Sequence, residues 1–169
     1  MKINKRVRNK IKYTLYFVLF MLGLFVTRYL YLRFDKSPIE MTSYTEKYKV
    51  KYLYHIDGDT AVFKDENNNE ITCRFIGVDA PEYGEDGFEK ASNYTDMVLS
   101  SAFEIVLELE PKSEKYDKFD RLLAWVWTDG SLLQGKLVEN NLVDIKYLFN
   151  NYLYTEYLFK VKTQNNVTK

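Results

Sequence analysis

The feature that most constrains this chain is an uncharged apolar run from Tyr13 to Thr27, fifteen residues, with Lys2, Lys5, Arg6, Arg8, Lys10 and Lys12 in front of it. Tyr29 to Leu32 extends the run to twenty residues once Arg28 is accepted. Twenty residues rising 1.5 Å each span about 30 Å, the thickness of a bilayer's hydrocarbon core. Arg28 and Arg33 stand near the far end, where long side chains snorkel to the headgroups, and Tyr29 and Tyr31 suit the interfacial belt. The pattern predicts a transmembrane signal-anchor over 13–32 behind a basic segment, 1–12, which the positive-inside rule places in the cytoplasm. A cleaved signal peptide begins in the same way, and its product is secreted. No A-x-A-like site follows Leu24, and no Cys stands where it could be a lipid-attachment site, so the anchor is the preferred reading. A buried core helix is the third alternative. The anchor puts the rest of the chain on the outer face of a cell membrane.

All eight charged residues before Asp35 are positive, and the whole chain of 169 residues carries 24 Lys+Arg against 24 Asp+Glu. Removing those eight leaves 16 basic against 24 acidic residues, so the remainder carries −8. One His and one Cys exclude structural zinc and an internal disulfide. Chemistry must therefore run on carboxylates, basic groups or hydroxyls. Residues 33–47, with Pro38, Thr42, Ser43 and Thr45, read as a tether, a folded domain is expected over 48–162, and 163–169 reads as a disordered tail.

Within that domain Lys49–Ile56, Thr60–Phe63 and Ile71–Val78 read as three short strands, with Asn67-Asn68-Asn69 as a turn. From Phe88 the apolar spacing becomes helical through Ala102. Ile105–Leu107 and Leu122–Trp127 make a fourth and a fifth strand, the latter closed by Asp129-Gly130. Ser131 is expected to cap a helix running through Asn140, and Tyr152–Val161 reads as a further helix. The fold class is α+β, mainly β: a small five-stranded barrel with about three helices.

Three charged clusters fall at strand ends. Asp57-Gly58-Asp59-Thr60 by itself is a turn signal. Arg74 lies inside an apolar strand with Asp79 and Glu82 past its end, an arrangement that structurally implies an Arg–carboxylate pair. Asp117-Lys118-Phe119-Asp120-Arg121 alone reads as a solvated loop. His55 reads as a strand residue near a turn, and Cys73 as a buried strand residue.

In order and spacing these clusters resemble the staphylococcal nuclease (thermonuclease) family, which carries I-D-G-D-T, R-x-x-x-V-D-x-P-E and D-K-[YF]-x-R segments on a five-stranded OB-type barrel. Here they read Ile56-Asp57-Gly58-Asp59-Thr60, Arg74 through Val78-Asp79-Ala80-Pro81-Glu82, and Asp117 to Arg121. The resemblance covers about Tyr48 to about Phe159. It implies an OB fold, catalytic roles for Arg74, Glu82 and Arg121, and a Ca²⁺ ion held by Asp59, Asp79 and the carbonyl of Ala80. Asp57 is then an outer or turn residue. Such an all-oxygen set suits Ca²⁺, Glu82 would activate water, and guanidinium groups would hold the phosphate.

The resemblance further implies substrate contacts from Lys118 to a terminal phosphate and from Phe119, Tyr147 and Phe149, the aromatics being equally open to a core role. Asp120 stands where the family usually has Gly, which places a negative charge beside Arg121. The implied activity is a Ca²⁺-dependent endonuclease acting on DNA and RNA, single strands favoured, that leaves 3′-phosphate ends. No obligate protein partner is evident and a monomer is expected. The alternative is a noncatalytic OB module that binds nucleic acid or a protein. A domain at −8 repels polyanions at long range, so substrate capture has to be local.

Overall fold

The computed structural model describes residues 5–34, 39–149 and 152–167. The chain divides into two units, Met1–Lys36 and Ser37–Lys169.

The first unit is a single helix, α1 (Lys5–Phe34). Its apolar side chains from Tyr13 to Val26 are exposed. Thr27 lies among them and returns its hydroxyl to the carbonyls of Gly23 and Leu24, both at 3.0 Å, so no side-chain donor in that turn needs water. Among the described residues no helix is long and apolar enough to cross a membrane. The span expected over 13–32 lies partly outside them, because side chains beyond Arg28 are not described.

The second unit is built from β1 (Lys47–His55), β2 (Thr60–Lys64), β3 (Glu70–Phe75), β4 (Val78–Asp79), α2 (Phe88–Ser101), β5 (Ile105–Leu109), β6 (Leu122–Thr128), β7 (Ser131–Leu132), α3 (Leu133–Glu139), β8 (Asp144–Ile145) and α4 (Thr155–Val167). Strands β3, β2, β1, β5 and β6 are antiparallel neighbours in that order, and parallel pairing of Cys73–Phe75 with Leu122–Ala124 closes the barrel. Closure depends on β1, whose first half pairs with β5 while its second half pairs with β2. A register shift between Tyr52 and Tyr54 adds the local bend that one strand needs to serve two neighbours. This is a five-stranded closed barrel of the OB type, with helices outside it.

Phe63, Phe75, Leu107 and Leu122 fill the barrel interior, while Trp125 and Trp127, on the opposite face of β6, pack edge-on against Tyr154; all six are buried. Two buried carboxylates fix the periphery to it. Glu108 accepts from Trp127 Nε1 at 2.8 Å, Tyr154 OH at 2.7 Å and the hydroxyls of Thr42 and Thr45, which ties the segment before β1 to the barrel. Glu110 accepts from Trp125 Nε1 and from the N–H of Leu153. A buried carboxylate is tolerated only with such a full set of donors.

Two local expectations are corrected. Ile71–Val78 is two strands rather than one, because Gly77 has φ +78° and turns Val78-Asp79 away to pair with Ile145 and Asp144. A side chain at Gly77 would also meet Leu148 Cδ1 at 2.8 Å, so that corner is closed to other residues. Ser131 does not cap α3. Asp129 and Gly130, at φ +51° and +78°, form a primed-type turn that returns Ser131-Leu132 to pair with β6, and the helix starts one residue later. The Asn67–Asn69 turn is present, with Asp65 N donating to Asn69 O at 3.0 Å. Finally, α4 continues to Val167, through residues that composition assigns to the tail.

Candidate active site

Each of the three charged clusters is placed by a different piece of backbone. The turn between β1 and β2 is held by Asp57, whose Oδ1 accepts from Asp59 N at 2.8 Å, an Asx-turn that confirms Asp57 as a turn residue. This turn packs on α2: Thr95 Oγ1 donates to Gly58 O at 2.7 Å, and a side chain at Gly58 would overlap Ala91 and Ala80. Asp59 is thereby carried inside, at 4% exposure.

Arg74 leaves the end of β3 and is held by four acceptors. Its Nε lies 3.1 Å from Asp59 Oδ1 and its Nη2 3.1 Å from Asp79 Oδ1, while Nη1 donates to the carbonyls of Phe75 and Val78 at 2.8 and 2.7 Å. The expected Arg–carboxylate pair is thus a bridge between the carboxylates on either side of it. The second oxygen of Asp59 accepts from Ala80 N at 2.5 Å, and that of Asp79 from Lys146 Nζ at 2.7 Å. Burial pushes Asp59 up to about 7, with Asp57 adding to the rise and Arg74 opposing it.

The third cluster winds around Asp117. Its Oδ1 accepts from the N–H groups of Phe119 and Arg121 at 2.9 and 3.0 Å, and its Oδ2 takes Nε and Nη2 of Arg121 at 2.7 and 2.6 Å. The loop closes through Asp120, at φ +62°, whose N–H donates to Asp117 O at 3.0 Å. Above it the exposed ring of Phe119 lies 4.9 Å from Lys118 Nζ and 5.3 Å from Arg121 Cζ, within cation–π range of both.

One cleft of about 640 Å³ gathers these pieces. Asp59, Arg74, Asp79, Glu82, Lys118, Phe119, Arg121, Tyr147 and Phe149 all line it, together with Asp57, Asp117 and Tyr152. Phe119, Tyr147 and Phe149 are 66%, 74% and 63% exposed, which decides the open question about them: none is core. Glu82 is exposed, and among the described residues its carboxylate has no partner. Ala80 departs from the expected set, since it lines an adjoining groove with Asp144 and Lys146, and its contact with Asp59 is through its N–H.

Curated proteins similar to this chain include the thermonuclease of Staphylococcus intermedius, 34% identical over 114 residues, which cover 62% of this chain and 61% of the relative. The thermonuclease of Staphylococcus hyicus is 31% identical over 97 residues, covering 52% and 53% respectively. The chain is thus similar to two staphylococcal thermonucleases. It spans about half to three fifths of the length of the relatives it matches. No family model matches it.

The Ca²⁺ ion that the sequence resemblance implies can be tested against the donors themselves. Carboxylates of Asp57, Asp59, Asp79 and Glu82 share the cleft, all hard oxygen ligands of the kind Ca²⁺ takes, and a buried Asp59 pushed toward neutrality is a group that a cation would relieve. In kind, the set fits. In arrangement it is closed, because each oxygen of Asp59 and Asp79 is held by an internal donor, and among the described residues no three His, Cys, Asp or Glu side chains group closely enough to hold a metal ion.

Lys146, which lines the adjoining groove and touches the cleft through Asp79, is the residue that sequence reasoning missed. The one available signal was a basic residue directly before Tyr147. Only the pairing of β8 with β4 carries it to Asp79.

Proposed function

We propose that this protein is a nuclease that hydrolyses phosphodiester bonds of DNA and RNA. The observation that carries the reading is that Arg74, Arg121 and Glu82 line one cleft with Asp59 and Asp79, which together can supply the donors, base and cation ligands that phosphodiester hydrolysis uses. Asp59 and Asp79 would hold a Ca²⁺ ion, which when bound supplies positive charge against the charge that builds on phosphorus. Arg74 and Arg121 present guanidinium N–H groups to the phosphate oxygens, and planar, forked donors suit that geometry better than Lys does. Glu82, exposed and without an internal partner among the described residues, takes a proton from the attacking water. The water oxygen bonds to phosphorus as the P–O5′ bond breaks, and the 5′ oxygen takes a proton from solvent and leaves as a hydroxyl, so that the other fragment ends in a 3′-phosphate.

Phe119, Tyr147 and Phe149 offer exposed faces on which unpaired bases stack, which supports a preference for single strands. The fifteen-residue uncharged run behind six basic residues supports an α1 that anchors the domain at the outer face of a membrane. A second reading, a noncatalytic OB module, draws on the fact that Arg74 and Arg121 are both already paired with carboxylates.

Digestion of single-stranded DNA and of RNA by the full chain, with Ca²⁺ and with chelator, separates the two. Cleavage in Ca²⁺ alone is the expected result. Equal cleavage in chelator removes the metal assignment, and binding without cleavage favours the second reading. Fractionation of cells with and without alkaline washing tests the anchor, which predicts that the chain stays with the membrane.

A further inference from the structure

Lys146 follows β8, and its backbone is fixed there by donation of its N–H to Gly77 O at 3.2 Å. From that position its ammonium reaches Asp79 Oδ2 at 2.7 Å, while Arg74 holds Oδ1 of the same carboxylate at 3.1 Å. Asp79 therefore meets two positive charges, one of which, Arg74, it shares with Asp59. The nearby alternative partner of a lysine, Asp144, is instead 3.6 Å from Lys162. A divalent ion that takes Asp79 as a ligand must either displace the Lys146 ammonium or sit beside it as a like charge, and both weaken its binding. The Lys146 side chain is 51% exposed, so the pair itself is worth little and can be opened by solvent or by a stronger cation.

We propose that Lys146 is an internal competitor for Asp79 that sets how tightly the cleft takes a divalent cation. This rests on the reading that Asp59 and Asp79 carry the ion. Competition of this kind lowers cation affinity without removing a ligand, and it leaves cation binding dependent on monovalent salt, which screens the half-exposed ammonium.

The test is calorimetric titration of CaCl₂ into the full chain in detergent, without nucleic acid, backed by the Ca²⁺-dependent shift in Tm. Lys146→Met is expected to bind Ca²⁺ at least about tenfold more tightly than the unmodified chain, the scale of losing one unit charge a few ångströms from the ion. Lys146→Arg, which keeps the charge, is expected to stay within about threefold of it. In an Asp79→Asn background, Lys146→Met should change nothing, since the competition is for that carboxylate. If Lys146→Met and the unmodified chain titrate alike, the inference is overturned while the nuclease reading stands. If no variant binds Ca²⁺ by either measurement, the inference and the Ca²⁺ assignment fall together, and cleavage in chelator then shows whether the nuclease reading survives.

Discussion

Arg74 places its Nε 3.1 Å from Asp59 Oδ1, and both side chains are nearly out of solvent, at 13% and 6% exposure. Removing one partner of such a pair leaves the other as an uncompensated buried charge, which costs about 3–5 kcal/mol. Arg74→Ala is therefore expected to lose both stability and nuclease activity, and to say little about catalysis. Arg74→Lys is the informative change. It keeps the charge near Asp59 but loses the fork that also serves Asp79 and the Val78 carbonyl. We expect it to unfold in denaturant within about 2 kcal/mol of the unmodified chain while its turnover falls about a hundredfold or more. Turnover preserved in Arg74→Lys would remove Arg74 from the reaction.

Glu82 is the complementary case, exposed and without an internal partner among the described residues. Surface substitutions of this kind usually change stability by less than about 0.5 kcal/mol. Loss of a general base costs about 10²–10⁴ in rate. Glu82→Gln should accordingly give an unchanged unfolding curve and at least a hundredfold slower digestion of single-stranded DNA. A variant that digests at the original rate would show that water is activated elsewhere.

How much of this was legible in the sequence depended on whether the information was local. The three clusters, the turn at Asn67–Asn69, the helix from Phe88 and the buried strand position of Cys73 all follow from neighbours in the chain. The split of Ile71–Val78 was not legible, since a continuous apolar run hides a glycine that a distant segment, with Leu148 against it, requires. Ser131 misled for a similar reason: its propensity to cap a helix was overridden by the return turn at Asp129-Gly130, whose partner strand lies outside any local window. Lys146 was invisible because its meaning comes from pairing across 67 residues of sequence. The aromatics show the limit from the other side, for composition leaves Phe119, Tyr147 and Phe149 open to core or surface, and only the fold exposes all three.

The loop that presents Arg121 should fail in acid. Burial acts to raise Asp117, but N–H groups of Arg121 and Phe119 and the Arg121 guanidinium outweigh it and hold the carboxyl below its usual range. A group depressed in the folded state binds fewer protons there than when unfolded. Its stabilisation is thus complete above the unfolded value, about 3.9, and is lost as pH falls through the lower folded value. Asp117→Asn is expected to be about 1 kcal/mol less stable at pH 7, with the difference from the unmodified chain shrinking as pH falls below the unfolded value. Denaturant melts of the two proteins across that range measure it, and a constant difference would mean that Asp117 acts through shape and not charge.

Asp120 supplies the last prediction, because two of its properties act on the same loop. Its φ of +62° lies in the left-handed region, where Asp is tolerated and Gly costs nothing sterically. Glycine would relieve that strain but add freedom to the unfolded chain, effects of about 1 kcal/mol each and opposite in sign. Asp120→Gly should therefore change stability by less than about 1 kcal/mol. Its electrostatic effect has no such offset. The carboxylate beside Arg121 is one of the charges behind the −8 of the domain and stands at the point where a polyanion has to approach, so its removal lowers that local repulsion. The expected signature is a lower KM for single-stranded DNA with little change in kcat, most pronounced at low salt and fading as salt screens the charge. Asp120→Asn separates the two effects, since it keeps a residue that accepts the left-handed backbone while removing the charge. If Asp120→Asn leaves KM unchanged and Asp120→Gly lowers it, backbone geometry and not charge governs how Arg121 meets the substrate.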